Sequence, residues 1–272
     1  METPRNRAAG RGVPSRRLPA ILQVENQSKE NSLFVSGMNG DPRKNESHSH
    51  LKDQTPMLIT FEGIDQSGKS TQAKRLAEHL RKDGPTEKDP LLVREPGGTG
   101  LSERVREVLL DRSISLSSMS EMLLFSAARV DLVEKKIKPA LEKRRVVICD
   151  RFYDSTIAYQ GAGREVESYG WVESFQQKVI GGLEPDRTFL LDIPLDVAYE
   201  RRSEKEDRME SEGAHFQRKV ADAYREIASQ NERRIRVIDG TKAPDQIQAK
   251  IQGEIRRMII SREEGERKRR AT

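Results

Sequence analysis

Cysteine is nearly absent: Cys149 is the only one in 272 residues, which excludes an internal disulfide and fits a reducing compartment. Histidine is scarce too. His48, His50, His79 and His215 show no metal-ligand spacing with other ligands, so none is given a role. No apolar run approaches the ~20 residues that span a bilayer, which excludes a membrane-crossing helix. A large charge excess is missing as well: the net charge is +5, with 34% of residues charged and both signs interspersed. Part of the excess sits in the ends, at Arg5, Arg7, Arg11, Arg16 and Arg17 and again over Arg267 to Arg270. Basic ends touch nucleic acid or membrane loosely, but they are more often solvated. No specific nucleic-acid partner and no membrane partner are expected.

Residues 1–56 are rich in Pro, Gly, Ser, Asn, Arg and Lys, with scattered apolar side chains and no lasting period. Such a stretch buries too little apolar surface to offset its ordering entropy, so disorder is expected there. Its first 24 residues are Arg-rich with one acid, Glu2, and loosely resemble an organelle transit peptide. Pro4, Pro14 and Pro19 spoil any helical moment. An upstream start codon, with Met57 as the natural first residue, accounts for the arm at least as well and is preferred. A cytoplasmic location follows, with organelle import through residues 1–24 as the alternative. Residues 57–261 fit one α/β domain, followed by a charged tail over 262–272.

What the chain does have is Met57 to Thr71, MLITFEGIDQSGKST. A strand-like run (Leu58 to Phe61) enters Gly63, and four residues later come Gly68, Lys69 and Ser70, opening a helix-like run to about Lys82. This is the G-x-x-x-x-G-K-[ST] phosphate loop in its required strand–loop–helix context. Glycines let successive N–H groups face a phosphate, and the helix start adds the positive end of its dipole. Gly63, Gln66, Ser67, Gly68, Lys69, Ser70 and Thr71 are therefore the candidate ATP-binding loop. Lys69 holds the β- and γ-phosphates, and Ser70 offers its hydroxyl to Mg²⁺.

The rest of the chain supplies four more strands, at 91–94, 146–150, 187–192 and 235–238, each separated from the last by about 30–50 residues with mostly helical patterning. Such spacing excludes hairpins and requires a parallel sheet with right-handed crossovers. The expected fold class is thus α/β, a three-layer P-loop NTPase fold with a five-stranded parallel sheet. Val146 to Cys149 is apolar and ends in Asp150, the Walker-B pattern, which brings an acid to the sheet edge that carries the phosphate loop. Strand 91–94 runs into Arg94-Glu95-Pro96-Gly97-Gly98, placing charges at the same edge. Ser70, Asp150 and Glu95 are the candidate metal shell. Helices are expected over 70–82, 101–110, 118–143 (kinked or split at Pro139), 172–180, from Leu195 toward Arg208, 214–231 and 244–260. The segment 151–164 reads as polar and aromatic, as a substrate-lining segment would.

Five segments together resemble thymidylate kinase, the P-loop enzyme that phosphorylates dTMP with ATP: Phe61 to Thr71, Arg94 to Thr99, Leu124 to Arg129, Asp150 to Gly161, and Leu191-Asp192 with the basic stretch after it. The resemblance spans about Met57 to Ile260. It implies that Arg94 and Arg151 grip the acceptor phosphate, that Asp65 contacts its sugar, and that Phe125 stacks on the base while Arg129 reaches a base carbonyl. Thr156 would read the pyrimidine edge and Tyr159 would crowd the 2′ position, with Ser155 and Gln160 lining the same segment. The stretch 201–208 resembles the lid, with Arg201, Arg202 and above all Arg208 as sources of transition-state charge, because Gln66 and Ser67 leave the loop itself without a basic residue there. Lys69, Asp150, Arg151 and Arg208 are the expected catalytic set. A homodimer is implied, with the helix around 121–143 as a face. Two alternatives stand beside this reading: a kinase of another nucleoside monophosphate or small acceptor, and a nucleotide-switched nucleic-acid-binding protein.

Overall fold

The computed structural model describes residues 56–82, 88–202 and 212–270. The arm before Pro56, the Asp83-Gly84-Pro85 helix stop, Arg208 with most of the expected lid, and the last two residues lie outside them. Five parallel strands form one sheet in the order β2-β3-β1-β4-β5: β1 (Met57–Glu62), β2 (Leu91–Arg94), β3 (Val146–Asp150), β4 (Arg187–Asp192) and β5 (Ile235–Asp239). Every strand lies within a residue of its expected place.

The period of two along β1 divides the core. Met57, Ile59 and Phe61 pack against α1 (Lys69–Lys82) and α9 (Pro244–Arg270), through Ala73, Leu76, Leu80, Ile247, Ile251 and Ile255. Leu58 faces the other layer. There it meets side chains of α3 (Ser118–Leu132), α6 (Tyr169–Val179) and α8 (Ala214–Gln230), after α2 (Gly100–Leu110) has crossed from β2. Thr60 and Glu62 share the parity of Leu58, so two polar groups enter this layer. Thr60 settles by hydrogen bonding to Thr188 across the sheet at 2.7 Å.

Helix expectations hold except at a few ends. The run over 118–143 is split as Pro139 required, into α3, one wide turn over Val133–Ile137, and α4 (Lys138–Glu142). Proline has no N–H for the ladder, and the helix absorbs it with the Lys138 N–H reaching back to Val133 O. The 151–164 segment is largely helical, as α5 (Tyr153–Thr156) and a wide π-turn over Ile157–Gly163. The helix expected to run from Leu195 to Arg208 is corrected: α7 spans Leu195–Glu200 only. Arg201 and Arg202, the next two residues, bring no apolar side chain to bury, and 203–208 lie outside the described residues. The last helix, expected to end at 260, continues to Arg270. Glu264 stands four residues before Lys268, a helix-supporting order. Among the described residues no helix is long and apolar enough to cross a membrane.

Gly63, at the β1 exit, adopts φ +138°, and a Cβ built there would lie 2.5 Å from Leu191 O and 2.9 Å from Ser67 Oγ. A backbone oxygen in the next strand cannot yield. Gly63→Ala is therefore expected to lower the urea-unfolding free energy by about 2 kcal/mol or more. An unchanged midpoint and slope would refute this reading of the loop.

Candidate active site

Strand register collects the charges. Arg94 pairs with Asp150 across β2–β3, and Phe61 pairs with Asp150 across β1–β3. The carboxyl ends of the three strands therefore deliver Glu62, Arg94 and Asp150 side by side, at the edge where open parallel sheets bind ligands. Two cavities open there. One is lined by Gln66, Gly68, Lys69, Ser70, Thr71, Arg94, Asp150 and Arg201. The other is lined by Pro96, Leu110, Phe125, Arg129, Ser155, Thr156, Tyr159 and Gln160. Asp65, Glu95, Arg106 and Arg151 line both. The two cavities are halves of one cleft.

On the phosphate-loop side Lys69 is buried, its Nζ donating to Ile64 O at 2.7 Å and to Ser67 Oγ at 3.4 Å. Burial, with the Arg151 charge, pushes its ammonium down to about 8 against the pull of Asp65, Asp150 and Glu62. A phosphate would reverse that shift. Ser70 Oγ donates to Asp150 Oδ2, so a hydroxyl and a carboxylate stand together where a hard cation would sit. No cluster of three or more His, Cys, Asp or Glu able to hold a metal occurs among the described residues. The oxygen donors present, the Ser70 hydroxyl and the Asp150 carboxylate, are of the kind that suits Mg²⁺, which takes one or two protein oxygens and completes its shell from phosphates and water. Arg201 does not project freely; it donates to Gly240 O at 3.1 Å and 3.2 Å and to Gln66 O at 3.4 Å, clamping the loop to the end of β5.

Arg151 stands between the halves. Its Nη2 donates to Asp65 Oδ1 at 2.5 Å and to Tyr159 Oη at 3.1 Å, and its Nη1 donates to Gly63 O, Ser155 Oγ and Tyr224 Oη, each at 3.1 Å. The guanidinium also lies over the Tyr159 ring, 5.0 Å from its centre. Tyr159 Oη donates to Asp65 Oδ2 at 2.9 Å. Burial pushes the Asp65 carboxyl up, but the Arg151 and Lys69 charges outweigh it and hold the group below its usual range.

The nucleobase side departs in detail from expectation. Arg129 is buried and donates from Nε to Glu95 Oε2 at 2.7 Å, from Nη1 to Gln176 Oε1 at 2.6 Å and Thr156 Oγ1 at 2.9 Å, and from Nη2 to Phe152 O at 3.2 Å. Four of its five hydrogens serve the protein, leaving one on Nη2 for a ligand. Glu95, expected at the metal, is the buried partner of Arg129, although its Oε1 has no hydrogen-bond partner. Arg94, half exposed, pairs with Glu103 at 3.0 Å. Glu103 also accepts the Gly98 N–H at 2.8 Å. Gln160 donates to the buried Glu121 at 2.9 Å. Phe125 packs on Val105, Leu109 and Ala128 and turns to the cavity.

Of the expected site residues, Gly63, Ser67 and Arg202 do not line either cavity. Gly63 and Ser67 act beneath the loop as acceptors for Arg151 and Lys69, and Arg202 lies over Tyr199, 4.4 Å from its ring centre. Sequence reasoning missed Arg106, Glu62, Glu121, Gln176 and Tyr224. For Glu62 there was a signal, an acid closing a strand that carries no other charge. Tyr224 sits at helical spacing with Phe216, Val220 and Ile227 and carried none.

Burial drives the Glu95 carboxyl up to about 7 despite the opposing Arg129 charge, with Glu62 adding to the rise. Folded Glu95 thus holds a proton that an unfolded chain has released near pH 4.5. Its stabilising share is full below that value and is lost as pH climbs through about 7. The unfolding free energy of the native chain minus that of Glu95→Gln should fall between pH 5 and 8 and be level above. A difference that is flat with pH would contradict this.

Comparison with known proteins follows the same outline. The sequence profile described as Thymidylate kinase matches residues 61–251. Thymidylate kinase of Thermosipho africanus is 42% identical over 206 residues, covering 75% of this chain and 100% of that protein. That of Prosthecochloris aestuarii is 42% identical over 223 residues, covering 77% and 98%. The crystal structure of thymidylate kinase from Ehrlichia chaffeensis superposes with a TM-score of 0.58 at 37% identity, covering 74% of this chain and 98% of that one. With a phosphate loop, a second cavity sharing its wall, and relatives matched along nearly their whole length, the chain belongs to the thymidylate kinase family.

Proposed function

We propose that the chain transfers the γ-phosphoryl group of ATP to dTMP, giving dTDP and ADP. The observation that carries this reading is the pair of cavities joined through Arg151, with Lys69 on one side and Phe125 on the other. Two polyanions must be held end to end for in-line transfer, and positioning with charge neutralisation does most of the work. Lys69 and the amino end of α1 take the donor phosphates. Arg151 bridges to the acceptor phosphate, exchanging Asp65 and Tyr159 for phosphate oxygens, and Arg94 leaves Glu103 to assist. A phosphate monoester is largely dianionic near neutral pH, so its oxygen attacks without a protein base. Ser70 and Asp150 would hold Mg²⁺, which neutralises charge developing on the β- and γ-phosphates. Phe125 supplies the stacking face. Thr156 Oγ1 already accepts from Arg129, which aims its own proton toward the cavity and a base edge. Tyr159, fixed by Asp65, crowds the sugar. Arg208 is kept as the candidate lid charge.

Residues from Met57 onward carry this activity in the cytoplasm, where the single buried Cys149 stays reduced. A coupled assay of ADP release should show dTMP turned over far faster than dUMP, CMP or AMP. Equal rates across the panel would favour the general monophosphate kinase. ATP hydrolysis without any phosphorylated product would favour the nucleotide switch.

The active form is a homodimer. Support comes from Leu101 on α2, Met119 and Leu123 on α3, and Trp171 on α6, large apolar side chains left exposed on helices that pack side by side. Light scattering should give twice the chain mass for the native protein and one chain mass for Leu123→Glu. A native monomer would overturn the assignment.

A further inference from the structure

The mechanism uses Arg151 but leaves unexplained what holds it. Glu62 is 1% exposed. Its Oε1 accepts the Phe152 N–H at 2.7 Å, while Oε2 accepts from Ser155 Oγ at 2.6 Å and Tyr224 Oη at 2.8 Å. Glu62 Oε2 is the acceptor in both bonds, so each hydroxyl points its only proton at Glu62. Their lone pairs then face the other way. Arg151 Nη1 lies there, 3.1 Å from both oxygens. The two hydroxyls also stand 2.9 Å apart, a separation that suits neighbours sharing one acceptor.

We propose that Glu62 and Tyr224 are positioning residues for Arg151: the buried carboxylate sets the direction of the Tyr224 and Ser155 hydroxyls, and these, with Gly63 O, fix the Nη1 edge. The Nη2 edge, held among the described residues by Asp65 and Tyr159, is left to meet an incoming phosphate. The guanidinium therefore has a fixed edge and an exchangeable one. Arginine at this place needs such support because its backbone is already in the left-handed region, at φ +72°, which a non-glycine residue occupies at a cost. Neutral hydroxyls suit the role better than a direct ion pair. They connect Glu62 to the guanidinium without competing with phosphate for it. Tyr224 lines neither cavity, so it acts through Arg151 and not on a nucleotide.

This inference rests on the reading of Arg151 as the residue that grips the acceptor, and a double-mutant cycle separates the two. Tyr224→Phe keeps the ring in the core and removes one hydroxyl. Its kcat with dTMP should drop about tenfold or more, with KM for ATP within about twofold of native. Ser155→Ala should behave in the same direction. In an Arg151→Lys background, where no fork remains to be aligned, adding Tyr224→Phe should change kcat by less than about twofold. Native turnover in Tyr224→Phe, or a loss that multiplies undiminished onto Arg151→Lys, would overturn the positioning role. Full turnover in Arg151→Lys alone would remove Arg151 from the chemistry and the proposal with it.

Discussion

Like charges must be kept close in this cleft, and everything around them answers to that constraint. Lys69 and Arg151 converge on the same small volume, and their repulsion, added to burial, already depresses the lysine. The fold offsets this with acids delivered by strand ends and by the loop: Glu62 closes β1, Asp150 closes β3 and Asp65 rides in the phosphate loop. The result is a lattice of alternating charge before any nucleotide arrives. Phosphates entering the cleft replace the exchangeable acids and find the cations already aimed, which is the preorganisation that electrostatic catalysis needs.

The scaffold was open to reading because its signals are local. Leu58 to Phe61 and Val146 to Cys149 are apolar runs of strand length, and 30 or more residues between runs leave no topology but parallel crossovers. Pro139 announced a broken helix. The phosphate loop and Asp150 were legible for the same reason: their chemistry depends on neighbours in sequence. The resemblance then brought in Arg94, Phe125, Arg129 and Tyr159, all of which line the cleft.

What the sequence could not show was pairing at a distance. Arg129 and Glu95 are 34 residues apart, and each was assigned a ligand that the other partly replaces. Arg94 stands beside Glu95 in the chain, yet its partner is Glu103, nine residues on in the first turn of α2. Glu62 and Tyr224, 162 residues apart, meet because β1 sends even-numbered side chains toward the α8 layer. Hydrogen-bond direction, which gives this trio its meaning, exists only once three donors have been brought to one carboxylate.

The long last helix reaches back to the start of the sheet. Arg262 on α9 bonds to Pro56 O and to Asp186, just where β1 and β4 begin. That contact ties both ends of the described chain to the floor of the sheet, whereas catalysis belongs to its rim, a strand length of about 20 Å away. Pro56, the first described residue, is thus pinned at the end of the sheet opposite the nucleotide cleft.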